Sequence, residues 1–144
     1  MSSSGARRRP TVAVAESCTG GLIMARIVAI PESGAWFKGG VVAYRPAVKF
    51  DLLDVDPGPV ITARAAEQMA TGVQALMRAE IGVSTTGVAG PDTEEGQPVG
   101  KVFVGIAAAG EIRCHELHLE GGPERIRAEA ADFILDQIDR MSLL

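Results

Sequence analysis

The stretch AVAESCTGGL, at positions 13–22, changes from apolar to polar to glycine and back to apolar. Its start is the end of a short apolar run with β character, and its end leads into a predicted helix over 19–29. Between them stand Ser17, Cys18 and Thr19, whose side chains can all act as nucleophiles. Unpaired N–H groups at such a helix start can also bind an anion or a developing oxyanion. An N-cap formed by Ser17 or Thr19 explains the same residues, so the pattern leaves both interpretations open.

The rest of the chain alternates between strand-like and helix-like segments. The predicted strands cover residues 12–15, 41–44, 81–86, 101–108 and 112–119, and the predicted helices cover 19–29, a short segment from Pro46, 63–79 after an N-cap at Thr62, and 123–140. Early strands separated by helices are typical of parallel pairing with helices on both faces. The last two strands, joined at Ala109-Gly110, predict an antiparallel hairpin.

These elements predict an α/β fold, a three-layer α/β/α sandwich with a mixed, mostly parallel sheet and a late antiparallel hairpin. We expect one domain over residues 12–144, preceded by a disordered N-terminal tail at 1–11. The tail contains the basic run Arg7-Arg8-Arg9, which is typical of a solvated segment, with a specific anion contact as the alternative.

Composition excludes several classes of function. The chain has 144 residues, 47% of them hydrophobic, and a net charge of -4, which argues against a broad nucleic-acid surface. No apolar stretch approaches the ~20 residues that span a bilayer, and no signal peptide is recognisable. The Walker A and dinucleotide-binding motifs are absent. Two cysteines are too few for a disulfide scaffold, so we expect a cytoplasmic, reduced protein.

A serine nucleophile needs a base, and the sequence offers two kinds. His115 and His118 lie at opposite faces of a late strand and are better explained as core or surface residues. Lys49 follows the strand that Tyr44 ends, and parallel neighbouring strands would bring both to the same sheet edge as Ser17. Lys49 can act as a base only if its environment lowers its pKa from about 10.4. A surface Lys49 beside a half-buried Tyr44 is the alternative.

Two further places carry polar groups of interest. The third strand ends in Thr85 and Thr86, which lie on opposite faces, so we expect only one of them to point into a site. Arg127 lies near the start of the last helix, where a cation opposes the helix dipole. That placement indicates an anionic partner such as a substrate phosphate, or else a salt bridge with a nearby Glu.

Several segments taken together resemble a known family. They are ESCTGG at 16–21, GGVVAY at 39–44 followed by Lys49, TTGVAGP at 85–91, PVG at 98–100 and IR at 126–127. From about Val12 to Ile138 the chain resembles the C-terminal domain of the competence/damage-inducible CinA proteins. Stand-alone members of that family are nicotinamide-nucleotide amidases (PncC). The resemblance implies hydrolysis of nicotinamide mononucleotide to nicotinate mononucleotide and ammonia, in a compact α/β/α domain without a metal or cofactor.

The resemblance also assigns roles to residues of this chain. Ser17 matches the nucleophile, Tyr44 and Lys49 its activating partners, and Thr86 the site threonine. The residues expected to bind the substrate, through backbone N–H groups or a phosphate contact, are Cys18, Thr19, Gly20, Gly21, Gly87, Gly90 and Arg127. Cys18 is a rival nucleophile, because a thiol at a helix N-terminus has a lowered pKa.

The chain departs from the family pattern in three segments that we expect at the substrate rim. They are Arg45-Pro46, the loop Asp92-Thr93-Glu94-Glu95, and Gly121-Gly122-Pro123. An amidase acting on another small amide, or a non-catalytic nucleotide-binding regulatory module, therefore stays an alternative. The intact Ser17, Tyr44 and Lys49 set argues against the module. As partners we expect a small-molecule nucleotide and a second copy in a homo-oligomer, with no nucleic acid and no membrane.

Overall fold

The computed structural model describes residues 8–142. Its strands are β1 (Val12–Glu16), β2 (Phe37–Val42), β3 (Ile81–Gly87), β4 (Lys101–Ala108) and β5 (Glu111–His118). Its α-helices are α1 (Leu22–Val28), α2 (Pro46–Leu53), α3 (Ala63–Met77) and α4 (Pro123–Ser142), and a single 3-10 turn covers Ser33–Ala35. Thr62 caps α3 as the sequence predicts, because its hydroxyl accepts a hydrogen bond from the Ala65 N–H at 3.0 Å.

The strands of the described chain form one sheet in the order β2-β1-β3-β4-β5. β1 pairs in parallel with β2 on one side and with β3 on the other. β4 runs antiparallel to β3 and to β5, and the β4–β5 pair is the predicted hairpin. The predicted α/β fold with a mixed sheet is therefore confirmed, and β1, β2 and β3 deliver their carboxyl ends to one edge.

Helices cover both faces of the sheet. On one face α3, with α2 beside it, packs alanines and branched residues against β1, and the shared core includes Ala13, Ala15, Met69 and Val73. On the other face α1 and α4 pack against each other and against β1, β3 and β4, around residues such as Val14 and Ile134. Small side chains at these contacts allow the helices to lie close to the sheet.

Glycine explains the two clearest differences from the predicted boundaries. α1 begins at Leu22 rather than at residue 19, because Gly20 and Gly21 adopt left-handed backbone with φ of 60° and 106°. β2 begins at Phe37, inside the predicted loop, and ends before Tyr44. A side chain at Gly40 would collide with the Val14 carbonyl, so this glycine permits a close strand pairing instead of marking a loop.

The N-terminal part of the described chain is attached to the domain. The Arg8 guanidinium donates to the Glu80 carboxylate at 2.7 Å, and the Arg9 guanidinium lies 4.1 Å from the centre of the Trp36 ring. The Thr11 N–H also donates to Glu80. These contacts move the start of the folded part from Val12 to Arg8, against the predicted tail, whose residues 1–7 lie outside the described residues.

No helix between residues 8 and 142 combines the length and the hydropathy that a membrane span requires.

Candidate active site

The carboxyl ends of β1, β2 and β3 open onto a cavity of about 420 Å³. Glu16, the last residue of β1, is paired with Val42, the last residue of β2, so the chain leaves both strands at the same edge. Ser17, Tyr44, Lys49 and Thr86, the residues with predicted catalytic roles, all line this cavity. Six of the seven predicted substrate-binding residues also line it: Cys18, Thr19, Gly20, Gly87, Gly90 and Arg127.

Ser17 lies directly after β1 and is 7% exposed. Its hydroxyl forms no hydrogen bond with any residue in the described range, while its own N–H lies 3.5 Å from the Thr85 hydroxyl. The Thr85 hydroxyl is also 2.9 Å from that of Thr19. The loop after β1 is thus attached to β3, and the Ser17 side chain stays available to the cavity.

Lys49 is the largest fully buried side chain of the described residues, with 1% of its surface exposed. Its amine donates to the Ala43 carbonyl at 2.8 Å and to the Tyr44 carbonyl at 3.2 Å. Burial lowers the pKa of the amine below its ordinary value of 10.5. A surface position for Lys49 is therefore excluded. The Lys49 amine and the Ser17 hydroxyl line one cavity, without a direct hydrogen bond between them.

Tyr44 contacts Lys49 through its main chain and not through its ring. The side chain is 71% exposed, and its hydroxyl bonds to no other residue between positions 8 and 142. The alternative of a surface Lys49 beside a half-buried Tyr44 is thus wrong for both residues. The tyrosine ring borders the cavity from the solvent side, because the chain has already left β2 at Val42.

Glu16 is a site residue that the sequence reasoning missed. Its carboxylate is completely buried and accepts hydrogen bonds from the N–H groups of Gly21, Ile23 and Met24 at 3.0, 3.1 and 2.8 Å. The start of α1 is therefore occupied by the protein's own anion. Gly21 is the N-cap residue of α1 and its N–H is bound to Glu16, so it does not join the other predicted substrate-binding residues in the cavity lining. The alternative of an N-cap formed by the Ser17 or Thr19 side chain is wrong. The available signal was a carboxylate at Glu16, four residues before the Gly-Gly pair at the helix start, where an anion is stabilised by the helix dipole.

The two threonines of β3 have separate tasks. Thr86 borders the cavity, and its hydroxyl donates to the Val60 carbonyl at 2.8 Å. Thr85 bonds to Thr19 on the other side of the strand and is fully buried. Alternation along a strand predicted that only one of them would face the site.

The Cys18 thiol is poorly suited to act as a nucleophile. Burial raises its pKa to about 12, so the reactive thiolate is scarce at neutral pH. The expected lowering by a helix N-terminus does not operate here, since the first N–H groups of α1 already bind Glu16.

The rim of the cavity is formed by four charged residues, Arg45, Glu94, Glu95 and Arg127, together with Pro46. The Glu95 carboxylate accepts hydrogen bonds from the N–H groups of Val60 and Ile61. Of the three segments that differ from the family pattern, two therefore lie at the rim, whereas residues 121–123 do not line the cavity. Arg127 forms no ion pair with any described residue, so the alternative of a structural salt bridge is excluded.

The two histidines, both within residues 8–142, lie away from the cavity of Ser17 and Lys49. His115 packs its ring against Phe133 at 5.2 Å, and His118 pairs with Glu116 at 2.7 Å. No three His, Cys, Asp or Glu side chains of the described chain converge as metal ligands would. A wider surface depression of about 610 Å³ between α2 and α3 has no Ser, Cys or Lys in its lining.

Comparison with protein families gives a clear relationship. The family model for the CinA C-terminal domain matches residues 2–142. The chain belongs to the CinA C-terminal domain family. A putative competence-damage inducible protein of Halothermothrix orenii is 45% identical over 129 residues, which are 84% of this chain and 31% of that protein. A CinA-like protein of Frankia casuarinae is 40% identical over 140 residues, 94% of this chain and 32% of the relative.

Solved CinA structures share the fold. A CinA superfamily protein of Klebsiella pneumoniae 700603 superposes with a TM-score of 0.89 at 27% identity, covering 95% of this chain and 90% of that one. The competence/damage inducible protein CihA of Agrobacterium tumefaciens gives a TM-score of 0.84 at 32% identity over 92% of this chain and 85% of that one. The resemblance seen in the sequence is confirmed. This CinA domain spans about a third of the length of the curated relatives it matches.

Proposed function

We propose that this CinA domain is an amidohydrolase that converts nicotinamide mononucleotide to nicotinate mononucleotide and ammonia. Ser17 is the nucleophile and Lys49 the base. The observation that carries the proposal is a buried amine of lowered pKa in the same cavity as a serine hydroxyl that has no other partner among the described residues. Family membership agrees with an enzymatic role.

The contacts of Lys49 suit a neutral amine. A neutral amine has two N–H donors and one lone pair, and the two carbonyls of Ala43 and Tyr44 use both donors. The lone pair then remains to accept the Ser17 proton. Since burial disfavours the charged form, the fold supports the protonation state that a general base requires.

The reaction proceeds in two balanced steps. Ser17 Oγ attacks the carboxamide carbon while its proton passes to Lys49, and the π electrons of the C=O bond move to the oxygen. The oxyanion electrons then re-form the C=O bond as the C–N bond breaks, Lys49 returns the proton to the leaving nitrogen, and ammonia departs. Water attacks the resulting ester, giving its proton to Lys49, and a second oxyanion forms. The C=O bond is restored as the ester C–O bond breaks, and Lys49 returns the proton to Ser17.

Backbone N–H groups are available for the developing oxyanion. The Thr19 N–H donates to no described residue and the Cys18 N–H contacts only its own thiol, whereas the N–H of Gly20 is bound to the Ser17 carbonyl. Each such donor contributes about 2.7–4 kcal/mol of transition-state stabilisation when correctly placed. They are separate from the N–H groups at the start of α1 that Glu16 holds.

Thr86 and Arg127 are assigned to substrate recognition. The Thr86 proton is committed to the Val60 carbonyl, so its oxygen can accept a hydrogen bond from the carboxamide NH₂ but cannot donate to a carboxylate. Arg127 borders the cavity without an ion-pair partner in the described chain and is the cation assigned to the nucleotide phosphate.

The test measures ammonia release from nicotinamide mononucleotide, with nicotinate mononucleotide identified as the second product. We expect Ser17→Ala to lower kcat by on the order of 10³-fold or more. The neighbouring Cys18→Ala serves as the matched control and should keep kcat within about tenfold, because the thiol is protonated.

The same assay separates the other functions. Binding of the nucleotide without ammonia release by the wild type would indicate a nucleotide-binding regulatory module. Release from another small amide, but not from nicotinamide mononucleotide, would indicate a related amidase. Loss of turnover in Cys18→Ala with retention in Ser17→Ala would reverse the choice of nucleophile.

A further inference from the structure

Glu94 is a rim carboxylate without a partner. It lines the cavity that contains Ser17 and Lys49, but its side chain forms no hydrogen bond or ion pair with any residue from 8 to 142. The adjacent Glu95 differs, because its carboxylate is occupied by the Val60 and Ile61 N–H groups. The Glu94 charge is therefore not required for any hydrogen bond that maintains the described fold.

The field of Glu94 reaches the reacting end of the cavity. Burial lowers the pKa of the Lys49 amine, and the Cys18 thiol and the Glu94 and Glu95 carboxylates act against that shift. Burial likewise raises the pKa of Cys18 to about 12, with Glu16 and Glu94 adding to the increase. A group that lies beside Ser17 during the reaction would thus experience the negative charge of Glu94.

Cations border the same cavity and are not neutralised by Glu94. Arg127 and Arg45 both line it, and neither forms an ion pair within the described part of the chain. Opposite charges that share a cavity without pairing to each other are complementary to a ligand that carries both signs. A ligand with an anionic group alone would leave Glu94 unpaired and repelling it.

We propose that Glu94 pairs with a positively charged ring of the substrate while Arg127 binds its phosphate. The site therefore selects a zwitterionic pyridinium nucleotide over the same nucleotide with a neutral ring. This inference rests on the proposed function, which supplies the nucleotide, and deepens it by naming the charge state that is recognised.

A matched pair of ligands isolates the ring charge. Oxidised nicotinamide mononucleotide has a pyridinium cation, and its reduced form keeps the phosphate, ribose and carboxamide but has a neutral dihydropyridine ring. Titration calorimetry on Ser17→Ala, at pH 8, measures the Kd of both ligands without turnover. The same titrations are repeated on Ser17→Ala with Glu94→Gln, and with Asp92→Asn as the control.

We expect Glu94→Gln to weaken binding of the oxidised ligand by about two- to fivefold, the range of an exposed ion pair. The reduced ligand should change by less than about twofold, and the effect on the oxidised ligand should shrink as salt rises from about 0.05 M to about 0.5 M. Asp92→Asn removes a charge from the same loop outside the cavity lining and should leave both Kd values unchanged.

Three outcomes overturn the inference. The first is an equal rise in Kd for both ligands after Glu94→Gln. The second is a fall in Kd for both ligands, which would mean that Glu94 repels the phosphate. The third is no binding of either ligand by Ser17→Ala at millimolar concentrations. Ammonia release by the wild type is scored separately. Release without charge selectivity overturns only this inference, and selectivity without release overturns only the proposed hydrolysis.

Discussion

The floor and the rim of the cavity are built differently. The floor consists of Ser17, Lys49 and Thr86, which line the cavity, and of Glu16 and Thr85, which lie outside the lining and bind the start of α1 and the loop after β1. All five are buried, and all except Ser17 bind main-chain groups through their side chains. At the rim, Arg45, Glu94 and Arg127 are at least partly exposed and their side chains lack partners in the described chain, whereas Glu95 binds the Val60 and Ile61 N–H groups.

This contrast indicates different roles for the two regions, the reaction step for the floor and substrate selectivity for the rim. Floor side chains hold the backbone of neighbouring strands and loops, so a change there alters the fold as well as the reacting groups. Rim side chains can change without a structural penalty, and two of the three segments that differ from the family pattern lie there. We therefore expect substitutions in the floor to act on kcat and stability, and substitutions in the rim to act on substrate affinity.

Apart from Ser17→Ala, the largest expected effect is that of Lys49→Met. We expect kcat to fall by about 10²–10⁴-fold, because the general base is removed. In the proposed mechanism only the neutral amine accepts the proton, so kcat should rise with pH, with a midpoint below 10.5, the ordinary pKa of lysine. The measurement is kcat against pH. Lys38→Met is the control, since Lys38 is an exposed lysine that also donates to a carbonyl.

Stability should depend on pH through the same residue. The pKa of Lys49 is lowered in the folded state, so between that pKa and 10.5 the unfolded chain binds more protons than the folded one. The free energy of unfolding contributed by Lys49 therefore rises with pH across this window. A Lys49→Met variant that kept kcat and its pH profile would contradict the role of Lys49 as the general base.

Glu16→Gln is expected to have an intermediate effect on the floor. An amide offers one oxygen where the carboxylate offers two, so one of the N–H groups of Ile23 and Met24 would face an NH₂ donor. We expect a loss of about 1–3 kcal/mol in the free energy of unfolding, measured by urea denaturation. The exposed Glu120→Gln should change it by less than about 0.5 kcal/mol. Equal stability of both variants would mean that Glu16 does not hold the loop of Ser17.

Arg127→Ala should have the smallest effect, and it should change substrate affinity without changing the catalytic step. We expect KM for nicotinamide mononucleotide to rise about tenfold with kcat nearly unchanged, because a phosphate contact is lost outside the reacting centre. Nicotinamide riboside, which lacks the phosphate, should not respond. Arg125→Ala is the control, since Arg125 pairs with Glu129. A fall in kcat at constant KM would break the division between floor and rim.

Much of the fold was predictable because it depends on local pattern. Alternation of short apolar runs with helical periodicity gave the element order, and the turn at Ala109-Gly110 gave the hairpin. The errors arose where glycine has more than one use. Gly40 permits strand pairing and Gly21 ends the turn before α1, and a single sequence does not distinguish these uses from a loop.

The site was predictable in outline for a related reason. Parallel strands end at one edge, so Ser17 and Lys49 share a cavity once β1 and β2 are neighbours. The orientation of Tyr44 and the partners of Glu16 depend on where β2 stops and how α1 begins. Both details follow from packing between segments that are distant in the chain.

By itself the sequence determined the order of strands and helices, the position of Ser17 at a strand end, and the membership in a family that carries ESCTGG. These features depend on residue spacing, which is local. Only the tertiary structure decided that Lys49 is buried, that Glu16 occupies the start of α1, and that Glu94 and Arg127 border one cavity without an ion-pair partner among the described residues. Burial and pairing of a charge depend on which distant residues surround it, and only the folded chain brings those residues together.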